Sequence, residues 1–351
     1  MPTRQDSTNR GVTMDEVAKA AGVSQATVSR VVNGNPRVNS ATKRTVERTI
    51  ERLGFVPNVA ARSLVTRRSD SIGVLIPEPT SRVFGDPFFA QVLRGVSSAL
   101  TTRRQKLVLF LPQGDAEERE LQPYLMAGHV DGVIMYSLHG DDPLPERLRR
   151  KGVPVVVGGR PPSGARVSYV DNDNRGGGML ATRHLVELGR RRIATISGPS
   201  DMGAANDRFE GYRDAIREGD RPFEDALVAS GDFTEESGAR AMAELLEREP
   251  DLDAVFAAND LMGAGALAVL AEAGRRVPDD VAVIGFDDSP IARTTRPTLS
   301  SVRQSLDVMG RELVSLLLAD IEAPEEVARK VVLAVELVVR ESTGGLPTNE
   351  T

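Results

Sequence analysis

Cysteine is absent from all 351 residues, which excludes a disulfide framework, a thiolate metal site and a thiol nucleophile. Histidine is nearly absent too. His129, His139 and His184 are the three present, and none stands at metal-ligand spacing from another, so a zinc centre is not expected. The opening residues, MPTRQDSTNR, are polar and lack an apolar signal core, and no apolar run reaches the roughly 20 residues of a membrane span. The expected location is the cytoplasm, with no membrane partner. Phosphate-cradling glycine loops and nucleophile elbows are missing; the glycine run at 176–178 has neither the lysine nor the spacing of a P-loop. No metal and no cofactor are expected.

What is present is a hydrophobic content of 40% beside 27% charged residues, a balance that suits globular domains, two or three of them at this length. The charge is unevenly placed. Residues 1–68 hold twelve Lys and Arg against five Asp and Glu, and the rest of the chain holds 32 against 45, so a head of +7 precedes a body of −13 in a total of −6. A basic head on an acidic body implies a polyanion-binding module joined to something that binds no polyanion.

The head has the punctuation of three helices. Thr13 and Glu16 form a T-x-x-E capping box, with Val12 placed to staple onto Val17. Gly22 supplies a turn, and Ser24 caps a second helix over 25–33 with Val28, Val31 and Val32 on one face. Gln25, Ala26, Ser29, Arg30 and Asn33 fall on the other face. A third helix starts at Asn39 or Ser40, buries Val46, Ile50 and Leu53, and stops at Gly54. A short helix showing Gln, Ser, Arg and Asn outward suits a DNA major groove, where Gln pairs bidentately with adenine and Arg with guanine. Residues 57–65 follow with Ala60, Ala61 and Leu64 at helical spacing. Nine residues hold a helix poorly by themselves.

From residue 71 onward, short apolar runs (72–76, 107–111, 132–135, 153–157, 193–196, 254–257, 281–285) alternate with helical patterns (88–100, 179–188, 208–217, 237–246, 261–273). Near-continuous apolar strands between helices indicate parallel sheets covered on both faces. The pattern occurs twice, with HVDGVIM at 129–135 and DLDAVFA at 251–257 as matching units, so a two-lobed α/β body is expected with ligand between the lobes at the strand ends. Polar residues stand there: Ser137, His139, Arg160, Asn259, Asp260, Asp287 and Asp288, with Phe233 offering an aromatic face. Asp260, next to Leu261, is a candidate N-cap. Arg, Asp and Asn hold vicinal hydroxyls bidentately.

VTMDEVAKAAGVSQATVSRVVNGNPRVNSATKRTVERTIERLGFVPNVAARSL, residues 12–64, closely resembles the headpiece of the LacI/GalR family of bacterial transcription regulators, and the resemblance runs to Arg340, Glu341 and Ser342. It implies an all-α helix-turn-helix headpiece with a hinge helix, joined to an α/β two-lobed core like the periplasmic binding proteins, with parallel sheets. It implies that Gln25, Ala26 and Arg30 read bases, Ala26 by packing on a thymine methyl at most. Thr13, Ser24, Thr27, Ser29, Asn33, Asn39 and Thr42 match positions that touch or flank phosphates. Two hinge helices would pair in the minor groove, with Asn58 and Ala61 in contact and Leu64 wedged into a central base step. For the effector, Arg160, Arg208, Phe233, Asn259, Asp287 and Gln304 match contact positions; Phe84, Asp86 and Phe88 match the first-lobe side, and Ser137 joins them. DPFFA, SLHGDDPLP, GGRP, VSYVDNDNRGGG, SGPSDM and GDFTEESG resemble the actinobacterial cellobiose- and β-glucoside-responsive repressors within that family.

The expected organisation is a tail at 1–11, a headpiece at 12–56, a hinge and linker at 57–68, a core at 69–345 and a tail at 346–351. Within the core, the first lobe takes about 69–171 and 304–332 and the second about 172–303 and 333–345. The end, RESTGGLPTNET, has no apolar heptads, so a homodimer is expected rather than a tetramer. The partners expected are a double-stranded operator, a sugar effector and a second copy of the chain. Two other classes remain open. An exported sugar-binding protein needs a signal sequence and has no use for 12–65. An enzyme acting on sugars needs a suitably separated carboxylate pair, which 50 acidic residues supply by chance.

Overall fold

A computed structural model describes residues 12–32, 35, 37–56, 68–161, 166–324 and 327–345, divided into two units, Met1–Ser69 and Asp70–Thr351. The first unit contains α1 (Met14–Ala21), α2 (Gln25–Val32) and α3 (Ser40–Leu53). The capping box forms as its spacing predicts: the Thr13 N–H donates to Glu16 Oε2 at 2.7 Å, and the Glu16 N–H donates back to Thr13 Oγ1 at 3.3 Å. Gly22 ends α1 at a φ of 68°, a conformation open to glycine without a β-carbon penalty. Val17, Val28 and Val46, one from each helix, are fully buried, with Phe55 closing the cluster. Ile50 and Leu53 are only half-buried, because Thr49 takes an inner position and satisfies its hydroxyl on the Thr45 carbonyl at 2.9 Å.

The second unit holds two six-stranded sheets. The first contains β1 (Ser71–Leu75), β2 (Lys106–Phe110), β3 (Gly132–Tyr136), β4 (Val155–Gly158), β5 (Ser168–Asn172) and β11 (Lys330–Leu333). The second contains β6 (Ile193–Ser197), β7 (Val228–Ser230), β8 (Ala254–Ala257), β9 (Ala282–Asp287), β10 (Ser300–Arg303) and β12 (Glu336–Val338). The orders are β11-β5-β4-β3-β1-β2 and β12-β10-β9-β8-β6-β7. All pairs are parallel except β10 with β12, which is antiparallel. Successive strand residues pack into cores on opposite faces: Ile134 and Tyr136 on one side of β3, Val133 and Met135 on the other. Two covered faces are why these strands read as unbroken apolar runs.

The chain passes between the sheets after β5, after β10 and after β11. Asn172 pairs with Leu333 as the last rung of the β5–β11 ladder, and the chain leaves the first sheet after each of them. After the middle crossing, the helix Leu306–Glu322 packs back on the first lobe, where Leu313, Val314 and Leu317 enter the core of β1, β3 and β4. In the second lobe, the helix Asn174–Glu187 lies against Gly203–Glu218. A β-carbon at Gly178 would collide with the Arg208 carbonyl, so glycine there permits the approach that brings Arg208 beside Asn174.

Candidate functional site

On the headpiece, Gln25, Ala26 and Arg30 are exposed along the outer side of α2, while Val28 and Val31 face the core. Ser24 caps α2, accepting from the Thr27 N–H at 3.2 Å, with the two hydroxyls 2.9 Å apart. Asn39 caps α3 by accepting from the Ala41 N–H at 2.8 Å. Thr27 and Thr42 line one depression with Arg30, Arg37 and Asn39; Ser29, on α2, is half-buried and is not part of that lining. Helix N-termini, hydroxyls and arginines on one face give a surface chemically suited to phosphate oxygens, next to the exposed polar face of α2. Thr13 stands apart from that depression at the start of α1, its hydroxyl engaged with Glu16 at 3.0 Å. Asn33, Asn58, Ala61 and Leu64 lie outside the described residues.

In the core, a cavity of 670 Å³ opens at the carboxyl ends of the strands of both sheets, a volume within the range of about 300–1,000 Å³ for small-molecule sites. Asp86, Phe88, Ser137, Arg160, Arg208, Phe233, Asn259, Asp287 and Gln304 all line it. Phe84 does not. It is 75% exposed, because in the short helix Thr80–Gly85 Val83 turns into the core and the next side chain points outward. Asp86 instead caps the following helix, accepting from the Phe88 N–H at 2.9 Å.

The polar centre is built around Arg208, which is buried. Its Nε donates to Asn174 Oδ1 at 2.9 Å, and its Nη1 donates to the Ala258 carbonyl at 2.6 Å and lies 3.5 Å from Asp287 Oδ1. The guanidinium sits 3.8 Å from the centroid of the Phe286 ring, a cation–π contact. Gln304 Nε2 donates to the same Asp287 oxygen at 2.6 Å. Burial drives the Asp287 carboxyl well above the usual carboxylate range, against the opposing charge of Arg208. Asp287 has a φ of 105° and Asp288 one of 51°. This strained turn sends Asp287 to the cavity and Asp288 into an ion pair with Arg340 at 2.5 Å.

Asn259, not Asp260, caps the helix Asp260–Glu272. Its Oδ1 accepts from the Met262 N–H at 2.9 Å and its Nδ2 donates to the Phe233 carbonyl at 2.9 Å. Asp260 is spent inside the lobe, accepting from the Ser301 hydroxyl and the Ser289 N–H, each at 2.6 Å. The Phe233 ring lies 5.4 and 5.9 Å from the Arg82 and Arg208 guanidinium carbons. Arg160, at the end of β4, is ion-paired with Asp207 of the second lobe.

The geometry also brings in residues that sequence reasoning missed: Arg82, Tyr136, Asp171, Asn172, Asn174, Asp207 and Met309. Asp171 is buried, which pushes its carboxyl up to about 6, although the Asn172 N–H bonds to it. VDNDN at 170–174 was a signal, a dense polar cluster at the end of an apolar run. Tyr136 carried none, since it ends a strand that reads as core.

A three-helix headpiece with an exposed polar helix face and a two-lobed α/β core around a polar cavity define a ligand-responsive DNA-binding regulator. Residues 13–58 match the model described as bacterial regulatory proteins, lacI family, and residues 182–343 match that of a periplasmic binding protein-like domain. The chain is 49% identical over 336 residues to the HTH-type transcriptional regulator CelR of Thermobifida fusca, covering 95% of this chain and 98% of that one. Among solved structures, a transcriptional regulator CelR–cellobiose complex is similar at 47% identity and a TM-score of 0.76, over 94% of this chain and 99% of that one. A lac repressor dimer bound to operator and the anti-inducer ONPF is similar at 26% identity and a TM-score of 0.85, over 95% and 99%. The protein belongs to the lacI family of bacterial regulatory proteins and is a DNA-binding transcriptional regulator.

Proposed function

We propose that the protein is a homodimeric repressor that binds a pseudo-palindromic operator and is released from it by a β-linked glucose disaccharide, cellobiose or a close relative. The observation that carries this reading is the buried Arg208–Asp287–Gln304 cluster at the floor of a cavity between two lobes. Arginine and carboxylate held at fixed spacing offer bidentate hydrogen bonds to neighbouring hydroxyls, and Phe88 and Phe233 offer rings to the apolar face of a pyranose. The likeness to CelR and to its cellobiose complex supports the ligand class, and the likeness to an operator-bound dimer supports the assembly and the partner. A DNA partner of this kind supports a cytoplasmic location.

In this reading Gln25, Ala26 and Arg30 meet base edges, and Thr13, Ser24, Thr27, Ser29, Asn33, Asn39 and Thr42 lie along the phosphates. Asn58, Ala61 and Leu64 act in the minor groove, Leu64 as the wedge. Asp86, Phe88, Ser137, Arg160 and Asn259 complete the sugar site with the three residues of the floor. The sugar lowers operator affinity only by binding the DNA-free arrangement of the lobes more tightly than the DNA-bound one, since equal affinity shifts nothing. The core acts as a sensor and leaves the sugar chemically unchanged.

The test is calorimetry of the full chain with cellobiose, lactose, maltose and glucose, followed by operator binding with and without each sugar. Cellobiose is expected to bind and to weaken the operator complex. An operator affinity unmoved by every sugar that binds overturns the release mechanism. Recovery of glucose from the cellobiose mixture overturns the assignment as a sensor.

A further inference from the structure

On the first-lobe wall of the cavity, two side chains are bonded in a way that serves neither well. Tyr136, the last residue of β3, and Asn172, the last of β5, both donate to the sulfur of Met309, Tyr136 through Oη at 3.1 Å and Asn172 through Nδ2 at 3.2 Å. All three residues are buried and all three line the cavity. A thioether is a weak acceptor, so two buried donors on one sulfur recover little of their desolvation cost. Asn172 Oδ1 is worse placed: it is buried and accepts no hydrogen bond among the described residues, where buried amide oxygens are almost always partnered.

The backbone is arranged to hold this pair together. β4 lies between β3 and β5, and it ends at Gly158, where a β-carbon would overlap the Tyr136 ring. Glycine there lets the ring lie across the end of β4. The ring also stands 5.5 Å from that of Phe88, so packing as well as the sulfur holds it in place. Phe at 136 and Leu at 172 would fill the same space without leaving polar atoms so poorly matched.

We propose that Tyr136 and Asn172 form a hydroxyl-reading pair for the carbohydrate, in which one ligand hydroxyl accepts from Tyr136 Oη and donates to Asn172 Oδ1. A hydroxyl is the group that both accepts and donates at one atom, which matches a donor and an unfilled acceptor side by side. Met309 Sδ holds the two side chains in register in the absence of sugar and yields the Tyr136 proton when a stronger acceptor arrives. The pair sets specificity from the ends of β3 and β5, beside the Arg208 cluster, and it rests on the reading of the cavity as a sugar site.

The experiment is calorimetry of the full chain with cellobiose and with its single-position deoxy analogues, for wild type, Tyr136→Phe, Asn172→Leu and Gln304→Ala. Tyr136→Phe removes one oxygen and keeps the ring, so it folds even where Asn172→Leu does not. Both first-lobe variants are expected to weaken cellobiose at least roughly fivefold. One deoxy analogue is expected to bind wild type more weakly than cellobiose does, while Tyr136→Phe binds the two alike. That loss of discrimination reads a direct contact, which a purely structural hydroxyl does not produce. Wild type that gives no heat with cellobiose, or binds it equally well after Gln304→Ala, overturns the cavity reading and this pair with it. Cellobiose binding weakened by Gln304→Ala but untouched by Tyr136→Phe and Asn172→Leu overturns the pair alone.

Discussion

His139 ties the first lobe to Asp201 of the second, with Nδ1 2.9 Å from Oδ2 and the neighbouring Gly140 N–H on the Asp201 carbonyl at 2.8 Å. The other ring nitrogen lies 3.1 Å from Glu78 Oε1, which also accepts from the Ser137 hydroxyl at 2.6 Å, while Arg82 pairs with the same carboxylate at 2.8 Å. The hydrogen bond to Glu78 raises the His139 pKa above 6.5, with burial opposing and Asp201 assisting. Burial disfavours ionised Glu78, but the bonds from His139 and Ser137 and the charge of Arg82 outweigh it and hold the carboxyl below 4.5. The histidine contribution is therefore complete below its unfolded pKa of 6.5 and is lost as pH rises through the raised folded value. The glutamate contribution is complete above 4.5 and is lost as pH falls through the lowered one. The melting temperature of wild type should exceed that of His139→Gln most clearly near pH 6 and by least at pH 8.5. A difference that grows with pH would remove the charged link between the lobes.

Arg208→Ala leaves Asp287, Asn174 Oδ1 and the Ala258 carbonyl without a buried cation. The cost is expected at about 3–5 kcal/mol at pH 8. Lowering the pH to 5.5 should shrink it, because the abandoned Asp287, already raised by burial, takes up a proton and ceases to be a buried charge. Urea denaturation of both proteins at the two pH values measures this. A cost independent of pH would mean that packing against Phe286, rather than charge, is what Arg208 supplies.

Asp171 is ionised at neutral pH at the expense of the fold. Its folded pKa of about 6 stands above the ordinary 3.8, so its stability is greatest below 3.8 and declines as pH rises through 6, by up to about 3 kcal/mol for a shift of this size. Asp171→Asn keeps an acceptor for the Asn172 N–H and for Asn174 Nδ2, both at 2.9 Å, and carries no charge. It should melt higher than wild type at pH 7.5 and at nearly the same temperature at pH 4.5. Equal melting at both would contradict the buried charge.

Arg30→Ala should weaken binding to the correct operator by about 1–3 kcal/mol and relax discrimination at one base pair. Fluorescence anisotropy on specific and scrambled duplexes over a range of salt separates the two roles of an exposed arginine. Equal losses on both duplexes, with a shallower salt slope, would make Arg30 a phosphate contact.

The headpiece was legible because its signals are local. Thr13 and Glu16 stand three residues apart in one turn, and Gly22 and Gly54 mark helix ends whatever surrounds them. Strand positions were legible for a related reason: burial on both faces leaves runs of apolar residues in the chain itself. Residues with a single polar reading, such as Arg208 and Gln304, were placed in the cavity by resemblance, and the structure lines the cavity with them. Phe84 falls outside that lining, since one step around a six-residue helix turns a side chain from the core to the surface.

Periodicity, capping and charge distribution determined by themselves that there is a basic helical head on a doubly wound acidic body, because helix ends and covered strands are written in neighbouring residues. Only the tertiary structure decided which distant side chains meet. Tyr136, Asn172 and Met309 converge because β4 separates β3 from β5 by one strand and the helix Leu306–Glu322 returns to the first lobe after a visit to the second. His139, just past β3 of one sheet, reaches Asp201, just past β6 of the other and 62 residues away. Sheet order and lobe crossings are collective outcomes of packing, and no window of sequence contains them.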